Sequence, residues 1–466
     1  MSETEEKKPR SYEEILRFGA LPEKLRTPIF AAFCVGMTAF ACPGIFGALN
    51  GLGAGGGADA STSNIANAIT FGTIAVGGFL TGSITNQIGV KQALIIGASF
   101  YSPYAAAMYV TNYHPTNKWF MPFAAFLLGC SAAFLWITSA AILLGYAEHH
   151  NKGKAMSMKI SLQHLGASIG GMIALGMNHE KTSSRVITRA TYLVLTFVML
   201  VGIPFAFLLP TPKQIRRSDG SAVVLEKQPS LWKEFGVLIK LLKTWEVITL
   251  LPILMYNQWY LSYQWTFNAS YFTVRGRALN SFLFYVFGMI GSWLTGLFLD
   301  GSFRGRKSKA RAAFVAVNFF AASSWILAIV IAKKWENKTE LYDWGTGGYG
   351  LGCFMFCLWG FMDAGVNTLL YWVVGGLSDN VNQLSILSGV INGVGSLGSA
   401  MAFVMSAKNV SLVAQCAVNV GLYFFGVPFF GVVTWHVKDD KALFDDSADS
   451  NSEDFDKIVE SVEEKA

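Results

Sequence analysis

One carboxyl group stands alone in the middle of an apolar stretch of the sequence. Asp363 lies in CLWGFMDAGVNTLLYW, with mostly apolar residues for at least ten positions on each side. A charge at the centre of a membrane costs about 3 kcal/mol on insertion scales. Trp359 and Asn367 lie four residues to either side, so the three share one helix face. The pattern favours an inward-facing proton or solute site, with a hydrogen-bonded structural aspartate as the alternative.

A second polar series lies in YNQWYLSYQWTFN, which ends at Asn268. Asn257, Tyr260 and Gln264 fall on one helix face, and the stretch has too many polar groups for a surface that faces lipid. Aromatic rings combined with amides suit recognition of a neutral or weakly polar solute. An interfacial aromatic belt is the alternative for part of this stretch.

His164 is a further candidate for proton transfer, because histidine titrates near physiological pH. A hydrogen-bonded histidine near a helix end is the alternative. The G-x-G-x-x-G pattern at Gly51, Gly53 and Gly56 follows an apolar span rather than a strand, and no acid lies about 20 residues on. We therefore interpret these glycines as a flexible exit from the span, where glycine tolerates tight turns and close packing. The sequence has no metal-ligand cluster and no nucleophile beside a base, so we expect no enzyme activity, metal, cofactor or nucleic-acid partner.

The composition identifies the elements that must position these residues. The chain has 466 residues, of which 52% are hydrophobic and only 14% charged, whereas soluble domains have about 25% charged residues. A membrane span needs about 20 mostly apolar residues. Twelve segments of this kind are predicted, at 28–50, 65–86, 91–112, 119–146, 155–177, 189–209, 245–267, 279–300, 310–332, 349–377, 384–407 and 411–436.

The charges between these spans predict the topology. Most of the 36 Lys and Arg residues lie on one side if both termini are cytosolic. The predicted parts are a cytosolic segment 1–27, a six-helix half 28–209, a linker 210–244, a second half 245–436 and an acidic, disordered tail 437–466. Asn268, Asn337 and Asn409 begin N-x-S/T sequons on the predicted outer side, which predicts N-glycosylation. The first span is interrupted at ACPGIFG, which indicates either a simple kink or a hinge that lines a pore.

The two halves repeat each other. LGCSAAFLWITSAA, from Leu128, and LGCFMFCLWGFMDA, from Leu351, align without a gap and place Ala140 opposite Asp363. Further matches follow spans 2 and 8 and lie within spans 5 and 11, in the same order. Parallel six-helix repeats of this kind build the major facilitator fold. We therefore predict an all-α, multi-pass membrane protein with twelve transmembrane helices in two repeats.

The loop after span 8 carries a recognisable signature. GLFLDGSFRGRK resembles the major facilitator loop motif, in which an acid is followed by basic residues, and Asp300, Arg304 and Arg306 could form a charge-assisted latch between conformations. In the first half, Asn86 replaces the acid. A surface ion pair without function is the alternative.

Within that superfamily, CPGIFGALNGLGAGG resembles the fungal branch of the UNC-93-like proteins. The resemblance implies either of two functions. Major facilitators mostly carry small solutes by alternating access, whereas some animal UNC-93 relatives are non-transporting partners of other membrane proteins. The intramembrane acid favours a transporter of a small solute, with proton coupling through Asp363 as an open question. The altered first-half signature favours the regulator.

Overall fold

The structure is a computed structural model that describes residues 25–57, 59–117, 119–146, 152–180, 186–217, 238–301, 305–377 and 381–437, together with Pro22 and Gly236. The predicted N-terminal segment before Pro22, the acidic tail from residue 438 and most of the linker lie outside the described residues. Within the described part, the regular elements are helices apart from one isolated bridge between Phe272 and Tyr342.

The N-terminal half consists of six helical rods. They are α1 (Pro28–Gly51), α2 (Ala60–Ile88), α3 (Val90–Tyr113), α4 (Phe120–Tyr146), α5 (Lys152–Asn178) and α6 (Arg189–Leu208). The C-terminal half consists of six more. They are α7 (Trp245–Tyr256 and Tyr260–Tyr271), α8 (Val274–Asp300), α9 (Arg306–Trp335), α10 (Tyr349–Val374), α11 (Val381–Ala407) and α12 (Leu412–Trp435).

The rods have the length and surface of membrane-spanning helices. Ten described segments are long and apolar enough to cross a bilayer, and α2 and the divided α7 occupy the other two predicted positions. Large apolar side chains such as Phe197, Trp293 and Phe319 are about two-thirds exposed. Because water would disfavour so much exposed apolar surface, these side chains are suited to lipid. The prediction of an all-helical, multi-pass membrane protein is confirmed.

The interruption of α1 is a π-helical turn, Phe40–Gly44, that contains Pro43. Proline cannot donate a backbone hydrogen bond, and a π-turn is a common way to accommodate the loss. Cys42 is fully buried in this turn, and its thiol lies 3.7 Å from the carbonyl oxygens of Ala98 and Met199. The kink therefore packs against α3, α5 and α6 inside the N-terminal half.

The span predicted at 245–267 corresponds to α7, which is divided at residues 257–259 and continues to Tyr271. Around the break, the N–H groups of Asn257 and Trp259 bond three residues back rather than four. A Cβ atom on Gly398 of α11 would lie 2.1 Å from the carbonyl oxygen of Met255. The missing side chain thus lets α11 cross α7 directly beside the break.

The two halves meet most closely at one end of the bundle. We call it the turn end, since it holds the turn Ala54–Gly56, and the opposite end, with residues 209–217, is the linker end. Towards the turn end, the rings of Phe71 in α2 and Phe403 in α11 stack with centroids 5.6 Å apart. Ser61 of α2 donates to the carbonyl of Ala407, 3.1 Å away. Towards the linker end, a cleft between the halves is bounded by α2, α4 and α11.

Candidate proton and solute site

The predicted polar residues of α10 lie along the second part of α7. Asn367 Nδ2 donates to the Tyr260 hydroxyl at 3.1 Å, and Gln264 Nε2 donates to Asp363 Oδ2 at 2.7 Å. The helices run antiparallel, so each turn of α10 meets one turn of α7. The face predicted from the i, i+4 spacing thus forms side-chain contacts between α7 and α10. We call the pairs Asn367–Tyr260 and Asp363–Gln264 the ladder; it joins two stretches about 100 residues apart in the chain.

These side chains are enclosed within the C-terminal half. Asp363 is 6% exposed and Gln264 is fully buried. Among the residues that the structure describes, no Lys, Arg or His lies within ion-pair distance of Asp363. A buried carboxylate without a cation is costly, so the neutral, protonated form fits this environment.

Several polar atoms beside the ladder are buried without a partner. Gln264 Oε1, Trp359 Nε1 and Asn257 Oδ1 have no hydrogen-bond partner within the described part of the chain. An unmade hydrogen bond at a buried group costs about 1–3 kcal/mol. Such groups are typical of a site that accepts a polar ligand. Asn257 lies at the α7 break and is one turn removed from Tyr260.

Trp359 belongs to an aromatic cluster that supports the ladder. Its ring lies edge-on to Phe267, 5.6 Å between centroids, and 6.1 Å from the ring of Trp325 in α9. Trp325 donates to the Tyr256 hydroxyl, and Tyr256 lies 5.2 Å from Tyr423 of α12. Four helices therefore fix the orientation of α7 and α10 around Asp363.

Sequence reasoning missed Arg277, which links the two halves at the turn end. It is 1% exposed, although it lies only three residues inside α8. Its guanidinium donates to the carbonyl oxygens of Leu52 and Gly53, at the C-terminal end of α1. Free carbonyls and the negative end of the helix dipole attract a cation there. Arg277 therefore holds the N-terminal half against the C-terminal half.

The turn that receives Arg277 is tight and closely packed, which agrees with the close packing that glycine permits and corrects the interpretation of a flexible exit. Gly53 has a φ of 67°, and a Cβ atom there would lie 2.3 Å from the Trp265 carbonyl oxygen of α7. The Tyr192 hydroxyl of α6 donates to the Gly55 carbonyl at 2.7 Å. Glycine is required because the backbone is left-handed and other backbone approaches closely.

Comparison with known proteins agrees with this architecture. A model of the family described as "Ion channel regulatory protein UNC-93" matches residues 57–301, which is just over half of the chain. The "Notoamide biosynthesis cluster protein O'" of Aspergillus versicolor is 32% identical over 435 residues, which cover 90% of this chain and 93% of that protein. The chain belongs to the UNC-93 family.

UNC-93 relatives occur in fungi and plants. An UNC93-like protein of Schizosaccharomyces pombe is 32% identical over 385 residues, or 81% of this chain and 76% of that protein. UNC93-like protein 1 of Arabidopsis thaliana is 28% identical over 434 residues, which cover 91% of this chain and 94% of that protein. The structure of the xylose transporter XylE of E. coli, in a partially occluded inward-open conformation, superposes on this chain with a TM-score of 0.62 at 13% sequence identity. The superposition covers 89% of this chain and 98% of the XylE chain. The predicted UNC-93 and major facilitator resemblance is confirmed.

This UNC-93 chain places His164 apart from the ladder, on the seam between α5 and α8. The His164 ring lies 6.1 Å from the Tyr285 ring, and its Nδ1 lies 3.0 Å from the Ile160 carbonyl oxygen. A Cβ atom on Gly288 would lie 3.6 Å from this ring and 3.8 Å from Ala364. His164 thus borders the helix that carries Asp363, without a hydrogen bond to it.

The sequon at Asn268 is wrong as a glycosylation site in this fold. Asn268 is fully buried, and its amide donates to the Gly51 carbonyl at 2.7 Å and to the Arg277 carbonyl at 3.2 Å. A sugar cannot be attached to an enclosed amide. Asn337 and Asn409 are exposed at the turn end, which leaves their glycosylation as a prediction.

The predicted latch is described only in part. Arg304 and the side chain of Asp300 lie outside what the structure describes. The Arg306 guanidinium lies over the Trp372 ring of α10, 5.0 Å from its centroid. The contact between Arg306 and α10 would allow a change in the loop to reach the helix of Asp363, and the latch itself stays a prediction.

Proposed function

We propose that this protein is a secondary transporter that moves a small solute by alternating access and couples transport to protonation of Asp363. The observation that carries the proposal is the enclosed carboxyl of Asp363, bonded to the neutral amide of Gln264 and without a cationic partner among the described residues. A carboxyl in these surroundings fits best when protonated. The same carboxyl releases its proton once water or a solute reaches it, so opening and protonation become linked.

The arrangement of the halves supports alternating access. The turn end is held together by Arg277, Asn268 and the carbonyls at the end of α1. The opposite end has a cleft between α2, α4 and α11. Transport would require the Arg277 contacts to break while this cleft closes, so each opening exposes the ladder to one side only.

The proposal is tested by uptake into vesicles that contain the purified protein. Labelled benzoate, xylose and alanine represent an organic anion, a neutral sugar and a zwitterion. Each is offered with and without an acidic exterior, and a protonophore serves as the control for coupling. Uptake of at least one probe that rises with the gradient and falls with the protonophore is expected. No uptake above that of empty vesicles for any of the three would contradict the proposal.

A non-transporting regulator of another membrane protein is the second candidate. The family description names an ion channel regulatory protein, and Asn86 replaces the acid in the first-half loop. A regulator needs a stable surface rather than a moving core. If the protein is a regulator, an engineered disulfide that locks the turn end would leave its effect on the current of a partner channel unchanged. A transporter that is locked in this way would stop moving solute.

A further inference from the structure

The face of α10 that carries Asp363 continues to the linker end of the bundle. Asp363, Asn367 and Tyr371 follow one another at intervals of four residues, so their side chains share this face. Asp363 is 6% exposed, Asn367 is half-buried and Tyr371 is 39% exposed. The helix begins at the turn end, where the Tyr349 hydroxyl donates to the Gly276 carbonyl. The polar face therefore becomes more accessible towards the linker end.

Tyr371 lies where this face meets the cleft between the halves. Its hydroxyl forms a hydrogen bond with the side chain of Asn392 in α11. Asn392 lines the cleft between α2, α4 and α11, together with Trp136 and Ala140 of the other half. A Cβ atom on Gly389, one turn before Asn392, would meet no atom within 4 Å. The hydroxyl of Tyr371 is therefore held beside open space at the linker end.

The C-terminal half also holds tyrosine hydroxyls around the Asp363 carboxyl. Three of them interact with it electrostatically, those of Tyr256, Tyr260 and Tyr423. Tyr256 is 2% exposed and accepts a hydrogen bond from Trp325 of α9. Tyr423 is 1% exposed and donates to Asn318 of α9 at 2.8 Å. These two hydroxyls are turned to α9 rather than to the cleft.

Tyr260 connects the carboxyl with the outer part of the polar face. Its hydroxyl accepts from Asn367 at 3.1 Å and interacts electrostatically with both Asp363 and Tyr371. Within the described chain, Gln264 bonds to Oδ2 of Asp363 alone, so Oδ1 is available to a proton donor. A hydroxyl accepts one proton while it donates another, whereas a neutral amide donates without releasing a proton. Groups that can exchange protons therefore extend from Asp363 to the cleft.

A second branch from Tyr260 leads to a different place. Its hydroxyl also interacts with that of Tyr285 in α8, whose ring lies 6.1 Å from the ring of His164 in α5. A Cβ atom on Gly47 of α1 would lie 2.6 Å from the Tyr285 hydroxyl, so this hydroxyl lies against the backbone of α1. The second branch thus ends in the contact between α1, α5 and α8, where the halves meet, rather than at the cleft.

We propose that the proton of Asp363 enters and leaves at the linker end through the hydroxyls of Tyr260 and Tyr371, with Tyr371 as the relay at the cleft. Tyr371 takes a proton from water in the cleft as it passes its own inward, and Tyr260 passes one to the Asp363 carboxylate. Both hydroxyls end unchanged, and release reverses the order. Water completes the path where two groups are not in direct contact. The inference rests on the proposed proton coupling and names its route.

Infrared spectroscopy of the protein in lipid nanodiscs tests this route without requiring transport. The carbonyl stretching band of the protonated Asp363 carboxyl is identified by its loss in Asp363→Asn, and its shift in deuterated water gives the rate of proton exchange. Tyr371→Phe is expected to slow the exchange at least about 10-fold, because one proton-transfer group is removed. Tyr371→His restores such a group and retains the exchange. Tyr285→Phe is the matched control and leaves the rate unchanged.

The outcomes separate the route from the proposed function. The parental rate in Tyr371→Phe, or slower exchange in Tyr285→Phe instead, would overturn the route. If Tyr371→Phe fails to fold, Gly389→Leu fills the space beside Asn392 and leaves every hydroxyl in place, and it is expected to slow the exchange as well. The parental rate in Gly389→Leu would mean that the proton does not come from the cleft. A band that is absent from the parent would contradict the proposed function itself, since Asp363 would then be ionised.

Discussion

Two tryptophans at matching positions of the repeat show how the halves have diverged. Trp136 of α4 and Trp359 of α10 align in the duplicated segment. Trp136 is half-buried at the cleft with Lys159 against its ring, whereas Trp359 is 1% exposed among aromatic rings. One turn further along, Ala140 lines the cleft and Asp363 is enclosed. The same frame thus places a buried lysine against an aromatic ring in one half and a buried acid beside a neutral amide in the other.

Neutral hydrogen bonds join three helices of the N-terminal half. Asn67 of α2 donates to Asn50 of α1 at 2.7 Å, and the Tyr104 hydroxyl of α3 donates to Asn67 at 3.1 Å. These groups satisfy one another, so they hold three helices together. Both halves also contain buried polar atoms without a partner in the described chain, such as Ser63 Oγ of α2 and Gln264 Oε1 of α7. Asn67 is thus bonded on two sides by neutral groups, whereas the Asp363 carboxyl accepts from the amide of Gln264.

The largest effect is expected from Arg277→Met, which removes the contact by which the C-terminal half reaches into the N-terminal half. Two buried carbonyls lose a charged donor, which we expect to cost about 3 kcal/mol or more. The population with an open turn end should therefore rise at least about 10-fold. Spin labels at Asn117 and Asn337, one in each half, would report longer distances by pulsed electron resonance.

The matched control for Arg277 is Lys338→Met, which removes an exposed cation at the same end. It is expected to leave the distance distribution unchanged. If Arg277→Met also gives the parental distribution, the arginine does not hold the halves together, and the closed turn end needs another cause.

A smaller effect is expected from replacing the two matching tryptophans by leucine. Trp359→Leu leaves a cavity among buried rings and should lower the free energy of unfolding by about 2 kcal/mol. Trp136→Leu loses mainly its contact with Lys159, worth about 1 kcal/mol or less. Unfolding by SDS in mixed micelles would measure both. Equal losses would mean that the two positions are packed alike and would remove the basis of the comparison.

The smallest effect is expected at Asp343, which is buried beside Arg275 in the connection between α9 and α10. A hydrogen bond from the Arg275 side chain holds the pKa of Asp343 below its usual value. A lowered pKa means that the carboxylate adds stability above about pH 4 and loses this effect as the pH falls through the lowered value. Asp343→Asn should therefore lower the melting temperature slightly at pH 7, and the difference should vanish near pH 3. Glu340→Gln, at an exposed position, is the control and should show no such convergence.

Much of this fold is predictable from the sequence because lipid demands long apolar helices. The apolar runs predicted the spans, and the helical period placed Trp359, Asp363 and Asn367 on one face. Which helix meets that face depends on packing between distant segments, so the pairing of Asp363 with Gln264 required the structure. The break in α7 was missed for the same reason, since it accompanies the close crossing of α11.

Charged residues near span ends were the hardest to interpret. Arg277 and Lys159 lie close to the ends of their helices, where cations usually extend into water, so the sequence alone gave no sign of their burial. Arg277 lies two residues before the span predicted at 279–300, so it was assigned to a connection outside the membrane. The sequon at Asn268 is a local motif that carries no information about burial. The latch of Asp300, Arg304 and Arg306 stays a prediction.

The central claim is that Asp363 couples proton movement to solute movement, and Asp363→Asn tests it most directly. Asparagine keeps the shape of the protonated carboxyl and can bond to Gln264, but it cannot release a proton. The variant in vesicles should still exchange solute across the membrane at equilibrium, measured as counterflow of the probe that the parent transports. It should lose accumulation driven by an acidic exterior. Accumulation that responds to the pH gradient as in the parent would contradict the account.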